Sequence, residues 1–202
     1  MNGGAPGSAP SFRRELARKA IHLSSAAVPI ALAFGIDRRL ALLMLGVLVV
    51  AAIAVEAARA LSPATASRFD SLFLPLLRAY ESRRLTGATW LLVAMFAAVL
   101  FFPRDVAIVA TWAAAVGDAA AALIGMRFGR LRSPRDGKSL EGSVACLLAT
   151  LAGAVWLAHL GPASALLAAV MATVAERIPW PHDDNIRIVA VVGVVMMLAM
   201  AR

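Results

Sequence analysis

The chain is a succession of apolar runs separated by short polar segments that carry most of its charge. A membrane-spanning helix needs about 20 mainly apolar residues, with about 17 as a common lower limit. The third, sixth and seventh runs are shorter than this. We predict an all-α, polytopic membrane helix bundle with about seven spans; six spans is the alternative. The runs are Ala20–Ile36, Leu40–Ala58, Ala88–Phe102, Val106–Met126, Ser143–Leu160, Ala163–Ala175 and Ile186–Ala201.

Two segments differ from this pattern. Residues 1–11 are rich in Gly, Ala, Pro and Ser and are predicted to form a disordered tail. Residues 12–202 are predicted to form a single integral-membrane domain. Between the second and third runs, Arg59–Gly87 mixes leucines and phenylalanines with charge, which indicates an amphipathic segment on the membrane surface.

The composition agrees with a membrane location. Hydrophobic residues make up 61% of the chain and charged residues 16%, against about 45–50% and about 25% in ordinary soluble domains. This excludes a disordered chain, and a single cysteine, Cys146, excludes a disulfide scaffold.

The net charge of +8 reflects basic residues placed between the apolar runs. With the N-terminus in the cytoplasm, 16 Lys and Arg fall in inside segments and 4 in outside segments, as the positive-inside rule requires. Nucleic-acid-binding motifs are absent from the sequence, so we expect no nucleic-acid partner. Richness in Ala and Arg indicates a bacterial protein, and we predict the inner membrane with an active site facing the cytoplasm. Oligomeric state is open, and a homo-oligomer is allowed.

Polar groups near or inside the apolar runs are the candidates for chemistry, because lipid makes them costly unless they are paired or face a cavity. Glu15, Lys19 and His22 are spaced four and three apart and therefore share one helical face. They are candidate catalytic residues, or else a salt-bridged helix start. Two further i,i+3 pairs, Glu56 with Arg59 and Arg78 with Glu81, are expected to be local ion pairs.

Asp118 lies in the middle of the fourth run, among small residues that allow another helix to approach closely. No cation lies near it in sequence. It must therefore meet a metal ion, a basic side chain from another helix or a bound proton. It is therefore a candidate functional residue, and the alternative is a neutral carboxyl group hydrogen-bonded at a helix interface.

The segment from Gly125 to Ser143 is a glycine-punctuated loop with five basic residues. Glycines let backbone N–H groups approach an anion, and Lys and Arg neutralise phosphate charge. Ser143 is also a candidate N-cap for the helix that follows. The alternative is a merely positive cytoplasmic loop. The candidate residues for binding a phosphate-bearing ligand are Gly125, Arg127, Gly129, Arg130, Lys138, Ser139, Glu141, Gly142 and Ser143.

Acidic and amide groups flank the last two runs. Glu176 closes the sixth run, and Asp183, Asp184 and Asn185 open the seventh. Together with Asp118 these hard oxygen ligands would suit Mg²⁺, which favours carboxylates combined with phosphate oxygens. The alternative is an ordinary acidic turn with a helix cap.

At these residues the sequence resembles the CTP-dependent lipid-alcohol kinases: dolichol kinase, phytol kinase and the CTP-dependent diacylglycerol kinase. Five elements match, in the family's order. They are Glu15-x-x-Arg18-Lys19-x-x-His22, Thr86-Gly87-Ala88-Thr89, Gly117-Asp118-x-x-Ala121-x-x-x-Gly125-x-x-x-Gly129, Lys138-Ser139-x-Glu141-Gly142-Ser143, and Glu176 with Asp183-Asp184-Asn185.

The resemblance implies a single membrane kinase domain that uses CTP and Mg²⁺. It implies that the loop from Lys138 to Gly142 holds the CTP phosphates and that Asp118 is a metal or catalytic carboxylate. A lipid alcohol (a polyprenol, phytol or similar prenol, or diacylglycerol) would be phosphorylated at its hydroxyl, with His22 or Glu15 as the candidate base. The surrounding membrane lipids would be its other partners.

Two other functions are open. The phosphatidate cytidylyltransferases share the Gly-Arg…Ser-Pro…Lys-Ser/Thr-x-Glu-Gly loop, present here from Gly129 to Gly142, but their His-Gly-Gly and Asp-Arg-x-Asp signature is missing. Such an enzyme would make a CDP-lipid from a lipid phosphate. A non-enzymatic transporter or scaffold is the third possibility, and it leaves the Lys138–Gly142 loop without a purpose.

Overall fold

Helices account for every regular element in the computed structural model, which describes residues 12–73, 85–134, 136–178 and 183–201. Within these ranges there is no β-strand, and the one extended pairing is an isolated antiparallel bridge between Arg132 and Ser139. The predicted all-α class is confirmed. The helices are α1 (Phe12–Ser24), α2 (Ala27–Ala33), α3 (Arg38–Leu61), α4 (Pro63–Phe73), α5 (Gly87–Phe101), α6 (Arg104–Trp112), α7 (Asp118–Phe128), α8 (Leu140–Trp156), α9 (Pro162–Arg177) and α10 (Asp184–Met200), with a π-helical turn at Ala113–Gly117 that joins α6 to α7.

Side-chain caps fix several helix starts. Asp37, Thr86, Ser139 and Asp183 each precede a helix, and each side chain accepts a hydrogen bond from a backbone N–H of the first turn. Such caps satisfy donors that have no partner inside the helix. The cap of α8 is therefore Ser139; the prediction of Ser143 is wrong, because the helix begins one turn earlier than the apolar run.

A continuous helical rod from Arg104 to Phe128, made of α6, the π-helical turn and α7, forms the centre of the bundle. Val106, Val109 and Ala113 are fully buried. Of the most apolar stretch of 18 residues in the rod, 67% is buried. The rod is packed by α2, α8 and α10, while α9 packs between α8 and α10. Because the rod is rich in alanine, neighbouring helices can approach its backbone closely.

Within the described residues, two helices are long and apolar enough to cross a membrane by length and composition: Arg38–Leu61 and Arg104–Phe128. The two helices differ in burial, since only 17% of the most apolar stretch of α3 is buried, compared with 67% for the rod. Its leucines and valines, such as Leu43, Val47 and Val50, are mostly exposed. A contiguous apolar surface of this kind marks contact with a membrane or with another protein. The helices Gly87–Phe101 and Leu140–Trp156 are apolar but shorter.

The first apolar run is divided between two helices. The chain turns at Ser25–Ala26, where the hydroxyls of Ser24 and Ser25 donate to the carbonyls of Ile21 and His22. Such side-chain bonds compete with the regular helical pattern. Neither α1 nor α2 reaches the length of a span, so this run is not one straight membrane helix.

Two predicted features fall partly or wholly outside the described residues. The predicted disordered tail, residues 1–11, lies outside them, as do Arg78 and Glu81. Of the predicted amphipathic segment, α4 is described: it carries no buried residue and exposes Leu72 and Phe73.

Candidate active site

The loop between α7 and α8 folds back on itself as a short hairpin. Ser133 and Lys138 pair through a backbone hydrogen bond of 2.8 Å, and Leu140 N–H donates to the Leu131 carbonyl at 2.9 Å. At the turn, Gly137 has a φ of +68°, a conformation that glycine adopts without steric cost. The hairpin returns Lys138 and Ser139 to the end of α7.

Three glycines let the backbones of α7 and α8 touch. A Cβ atom on Gly129 would lie 2.6 Å from Ser139 Cβ, and one on Gly142 would lie 2.6 Å from the Ala121 carbonyl oxygen. A Cβ on Gly125 would meet the Ser139 hydroxyl at 3.0 Å. The N–H groups of Gly129 and Gly142 already donate to the Gly125 carbonyl and to Ser139 Oγ, both at 3.1 Å. In the structure these two N–H groups are paired within the fold, and the two glycines allow close packing of the hairpin and α8 against α7.

Asp118 stands at the junction of the π-helical turn and α7 and is buried. Its carboxylate accepts a hydrogen bond from the ammonium of Lys19. The ring Nε2 of His22 lies 3.7 Å from the same oxygen and 2.8 Å from the Ala114 carbonyl oxygen. Of the three partners that the sequence allowed, the structure provides a basic side chain from another helix. The common face of Glu15, Lys19 and His22 is thus directed at α7, with Glu15 and Lys19 buried.

A second ion pair faces this one. Lys138 Nζ lies 2.7 Å from Glu176 Oε1 and also donates to the Glu176 carbonyl. Next to it, Arg177 donates to Ser143 Oγ at 3.0 Å and lies 3.9 Å from Asp136. A hydrogen bond from the Ser133 hydroxyl lowers the pKa of Asp136, so this loop carboxylate stays ionised. These contacts join the α7–α8 hairpin to the end of α9.

Both ion pairs open onto one cleft of about 230 Å³, which collects residues from α1, α7, α8, α9 and α10. Most predicted site residues line it. Two basic residues that the sequence analysis did not assign to the site also line it: Arg18, which is part of the first matching element, and Arg132, which donates to the carbonyls of Gly125 and Gly137. The predicted residues in the cleft are Glu15, Lys19, Asp118, Gly125, Lys138, Ser139, Gly142, Ser143, Glu176 and Asp184.

Other predicted residues lie elsewhere. Arg127, Gly129, Arg130 and Glu141 line a separate depression beside Phe128. Glu141 accepts hydrogen bonds from the backbone N–H groups of Arg130 at 2.9 Å and of Leu131 at 3.3 Å. The predicted nucleotide-binding set is therefore divided between two surfaces, and Glu141 holds the end of the hairpin.

The acidic motif before α10 is also divided. Asp184 lines the cleft and pairs with Arg187 at 2.6 Å. Asp183 caps the helix, and the amide of Asn185 reaches the Gly87 carbonyl at 3.5 Å. Arg187 is buried and donates to the carbonyls of Ala175 and Glu176. Through these bonds Arg187 ties α10 to the end of α9.

Another buried polar cluster lies at the ends of α3 and α5. Glu56 pairs with Arg59 at 2.5 Å, as predicted from their spacing. Its other oxygen accepts from the backbone and the hydroxyl of Thr86, both at 2.9 Å, and from the hydroxyl of Thr89 at 3.0 Å. The Thr86-Gly87-Ala88-Thr89 element therefore anchors α5 to α3. Sequence spacing could not reveal this contact, because the partners are about 30 residues apart.

Among the described residues, no three His, Cys, Asp or Glu side chains gather closely enough to hold a metal ion by themselves. Four carboxylates, those of Glu15, Asp118, Glu176 and Asp184, nevertheless line the same cleft. Mg²⁺ is commonly bound by one or two carboxylates plus substrate phosphates. The residues fit Mg²⁺ carried by a phosphorylated ligand rather than a dedicated cage of protein ligands.

Comparison with known proteins identifies no relative: no protein-family model, no curated protein and no solved structure matches this chain.

Proposed function

We propose that this protein is a membrane-embedded kinase that transfers the γ-phosphoryl group of CTP to the hydroxyl of a lipid alcohol. One observation carries the proposal. The α1 face lies about 100 residues before Asp118 in sequence, yet it lines the same cleft as Asp118 and the Lys138-Ser139 hairpin. Phosphoryl transfer depends mainly on positioning and charge neutralisation, and a cleft with several cations and carboxylates suits that task.

The cations of the cleft would bind the triphosphate. Lys138 and Arg132 are held on the hairpin by contacts with Glu176 and with backbone carbonyls, and Arg18 approaches from α1. Asp118, Glu176 and Asp184 would hold Mg²⁺ directly or through its bound waters, and the ion would supply charge neutralisation at the phosphate oxygens. CTP as the donor, rather than ATP, rests on the resemblance alone.

Glu15 is the better-placed of the two candidate bases. Its carboxylate lines the cleft and pairs with Arg18 at 2.5 Å. His22 lies behind Asp118, with its ring nitrogen on the Ala114 carbonyl, and does not line the cleft. We therefore infer that Glu15 accepts the proton of the attacking hydroxyl and that His22 holds Asp118 in position.

The membrane arrangement belongs to the same proposal. We infer seven spans, the first of them broken between α1 and α2, with the N-terminus and the cleft on the cytoplasmic side of a bacterial inner membrane. The split of 16 basic residues to 4 supports this orientation. The cleft is built from α1, from α7 (the second half of the Arg104–Phe128 rod), from the C-terminal end of α9 and from the N-terminal ends of α8 and α10, which alternating spans would bring to one side. The lipid alcohol would then reach the cleft without leaving the bilayer.

A product assay tests the proposal. The purified protein in lipid is incubated with Mg²⁺, with CTP or, in a parallel reaction, ATP labelled on the γ-phosphate, and with a panel of lipid alcohols plus phosphatidic acid. We expect label in an organic-soluble lipid monophosphate. Label released as pyrophosphate, only with phosphatidic acid, would instead establish cytidylyl transfer. No transfer from CTP or from ATP would leave the transporter or scaffold function.

Asp118→Asn is the matched variant for this assay. The substitution keeps the side-chain shape but removes the charge that would hold the metal ion, so we expect turnover to be abolished. Thermal unfolding in detergent shows whether the variant is folded. Near-normal turnover by a folded Asp118→Asn protein would refute the assignment of Asp118.

A further inference from the structure

Two lysines and two carboxylates in the cleft are engaged with each other. Lys19 on α1 pairs with Asp118 on α7, and Lys138 on the hairpin pairs with Glu176 on α9. All four side chains line the same cleft. In each pair the carboxylate side chain is at most 10% exposed, and Lys19 is only 5% exposed. The groups suited to a cation and those suited to a phosphate are thus mutually neutralised.

This pairing disfavours the binding of a metal ion without a polyphosphate, and the binding of a polyphosphate without a metal ion. A free metal ion would have to take a carboxylate from its lysine, leaving a buried ammonium without a counterion. A free polyphosphate that binds Lys19 or Lys138 would take the lysine from its carboxylate and leave a buried carboxylate without a counterion. The described residues also offer no cluster that could complete the coordination of a metal ion unaided.

We propose that the cleft binds a divalent cation and a polyphosphate as one unit, by exchange of partners within both ion pairs. Lys19 and Lys138 pass from the carboxylates to phosphate oxygens, and Asp118 and Glu176 pass to the cation or its bound waters. Each charge keeps an opposite charge throughout the exchange. That the polyphosphate is a nucleotide rests on the proposed function; the exchange itself concerns any polyphosphate.

The exchange has a consequence that a purely structural ion pair would not have. Removing a lysine frees its carboxylate and should increase the affinity for a metal ion alone. Removing a carboxylate frees its lysine and should increase the affinity for a metal-free polyphosphate. The effects cross over: loss of an anion-binding group improves cation binding, and loss of a cation-binding group improves anion binding.

The experiment measures the two affinities separately, with the full chain in detergent. Mn²⁺ binding is followed by electron paramagnetic resonance, and binding of inorganic tripolyphosphate in excess EDTA by calorimetry. We expect Lys138→Met to increase Mn²⁺ affinity, and Glu176→Gln to increase tripolyphosphate affinity, each by at least about fivefold, the lower end of typical coupling between sites. Lys19→Met and Asp118→Asn should behave in the same way.

Matched controls separate exchange from other effects. The double variant Lys138→Met/Glu176→Gln lacks both charges and should show neither gain, which excludes binding elsewhere on the surface. Lys138 is 29% exposed, so its variants are expected to fold, and thermal unfolding checks this. If the Lys19 variants do not fold, the Lys138–Glu176 pair decides the question.

Unchanged or reduced affinities in folded single variants would overturn the exchange. The proposed function has its own readout, the product assay. If the affinities cross over but no phosphoryl transfer is found, the partner exchange is supported and the kinase function is rejected. If transfer is found but the affinities do not cross over, the kinase function is supported and the partner exchange is rejected.

Discussion

Replacing Gly142 by alanine tests whether the contact between α7 and α8 positions the cleft. The added Cβ would lie 2.6 Å from the Ala121 carbonyl oxygen, whereas ordinary contact begins at 3.4 Å. The helices must therefore separate by about 0.8 Å, the difference of these two distances. Overpacking of this kind costs about 1–3 kcal/mol, and the higher helix propensity of alanine offsets about 1 kcal/mol of that.

We expect Gly142→Ala to lower the midpoint of thermal unfolding by several degrees, since about 1 kcal/mol corresponds to about 2–4 °C for a chain of this size. The thiol of Cys146, the single cysteine, is fully buried on α8. Its reaction with a fluorogenic maleimide during heating therefore reports unfolding in detergent. Because a displacement of 1 Å at an active site can cost about 100-fold in rate, turnover should fall by at least about tenfold.

Gly46→Ala is the matched control, because Gly46 is also inside an apolar helix. Its added Cβ would make an ordinary contact, 3.5 Å from the ring of Phe96. We expect unchanged or slightly increased stability and unchanged turnover. Equal stability of the Gly142 variant and the wild type, or equal losses in both variants, would refute the reasoning.

Two further substitutions test contacts away from the cleft. Glu56→Gln breaks the buried pair with Arg59, and we expect a loss of about 3–5 kcal/mol in unfolding free energy; stability equal to that of the wild type in the thiol assay would contradict this. Gly153→Ala would place a Cβ 2.2 Å from the indole of Trp112, which donates to the Ala149 carbonyl at 2.8 Å. We expect a loss of about 1–3 kcal/mol and a change in tryptophan fluorescence, and an unchanged spectrum would exclude the contact.

The apolar pattern predicted much of the fold because helix formation in this chain is a local property. The third run, Ala88–Phe102, corresponds to α5 within one residue at each end, and the seventh, Ile186–Ala201, corresponds closely to α10. The first run was less predictable. Hydrophobicity does not register the serine side chains that bond to the backbone at residues 24 and 25 and accompany the turn between α1 and α2.

The candidate site could be predicted in part. Asp118 was identified because a carboxylate in an apolar run needs a partner, but the partner, Lys19, lies 99 residues away and follows only from the packing of α1 on α7. Arg127 and Arg130 were placed with Lys138 because they share a loop. The hairpin separates them, since its backbone pairing turns Lys138 toward Glu176 while Arg127 and Arg130 line the other depression.

The helical class, the apolar surfaces and the residues that need a polar partner follow from the sequence, because they depend on composition and on spacing along one helix. The tertiary structure decided which polar groups meet. Lys19 with Asp118, Lys138 with Glu176, and Glu56 with Thr86 each join different parts of the fold. Such pairs depend on how different helices pack, and packing depends on residues of two elements at once. At the α7–α8 contact, for example, Gly129 and Gly142 allow the close approach that brings the hairpin to α7.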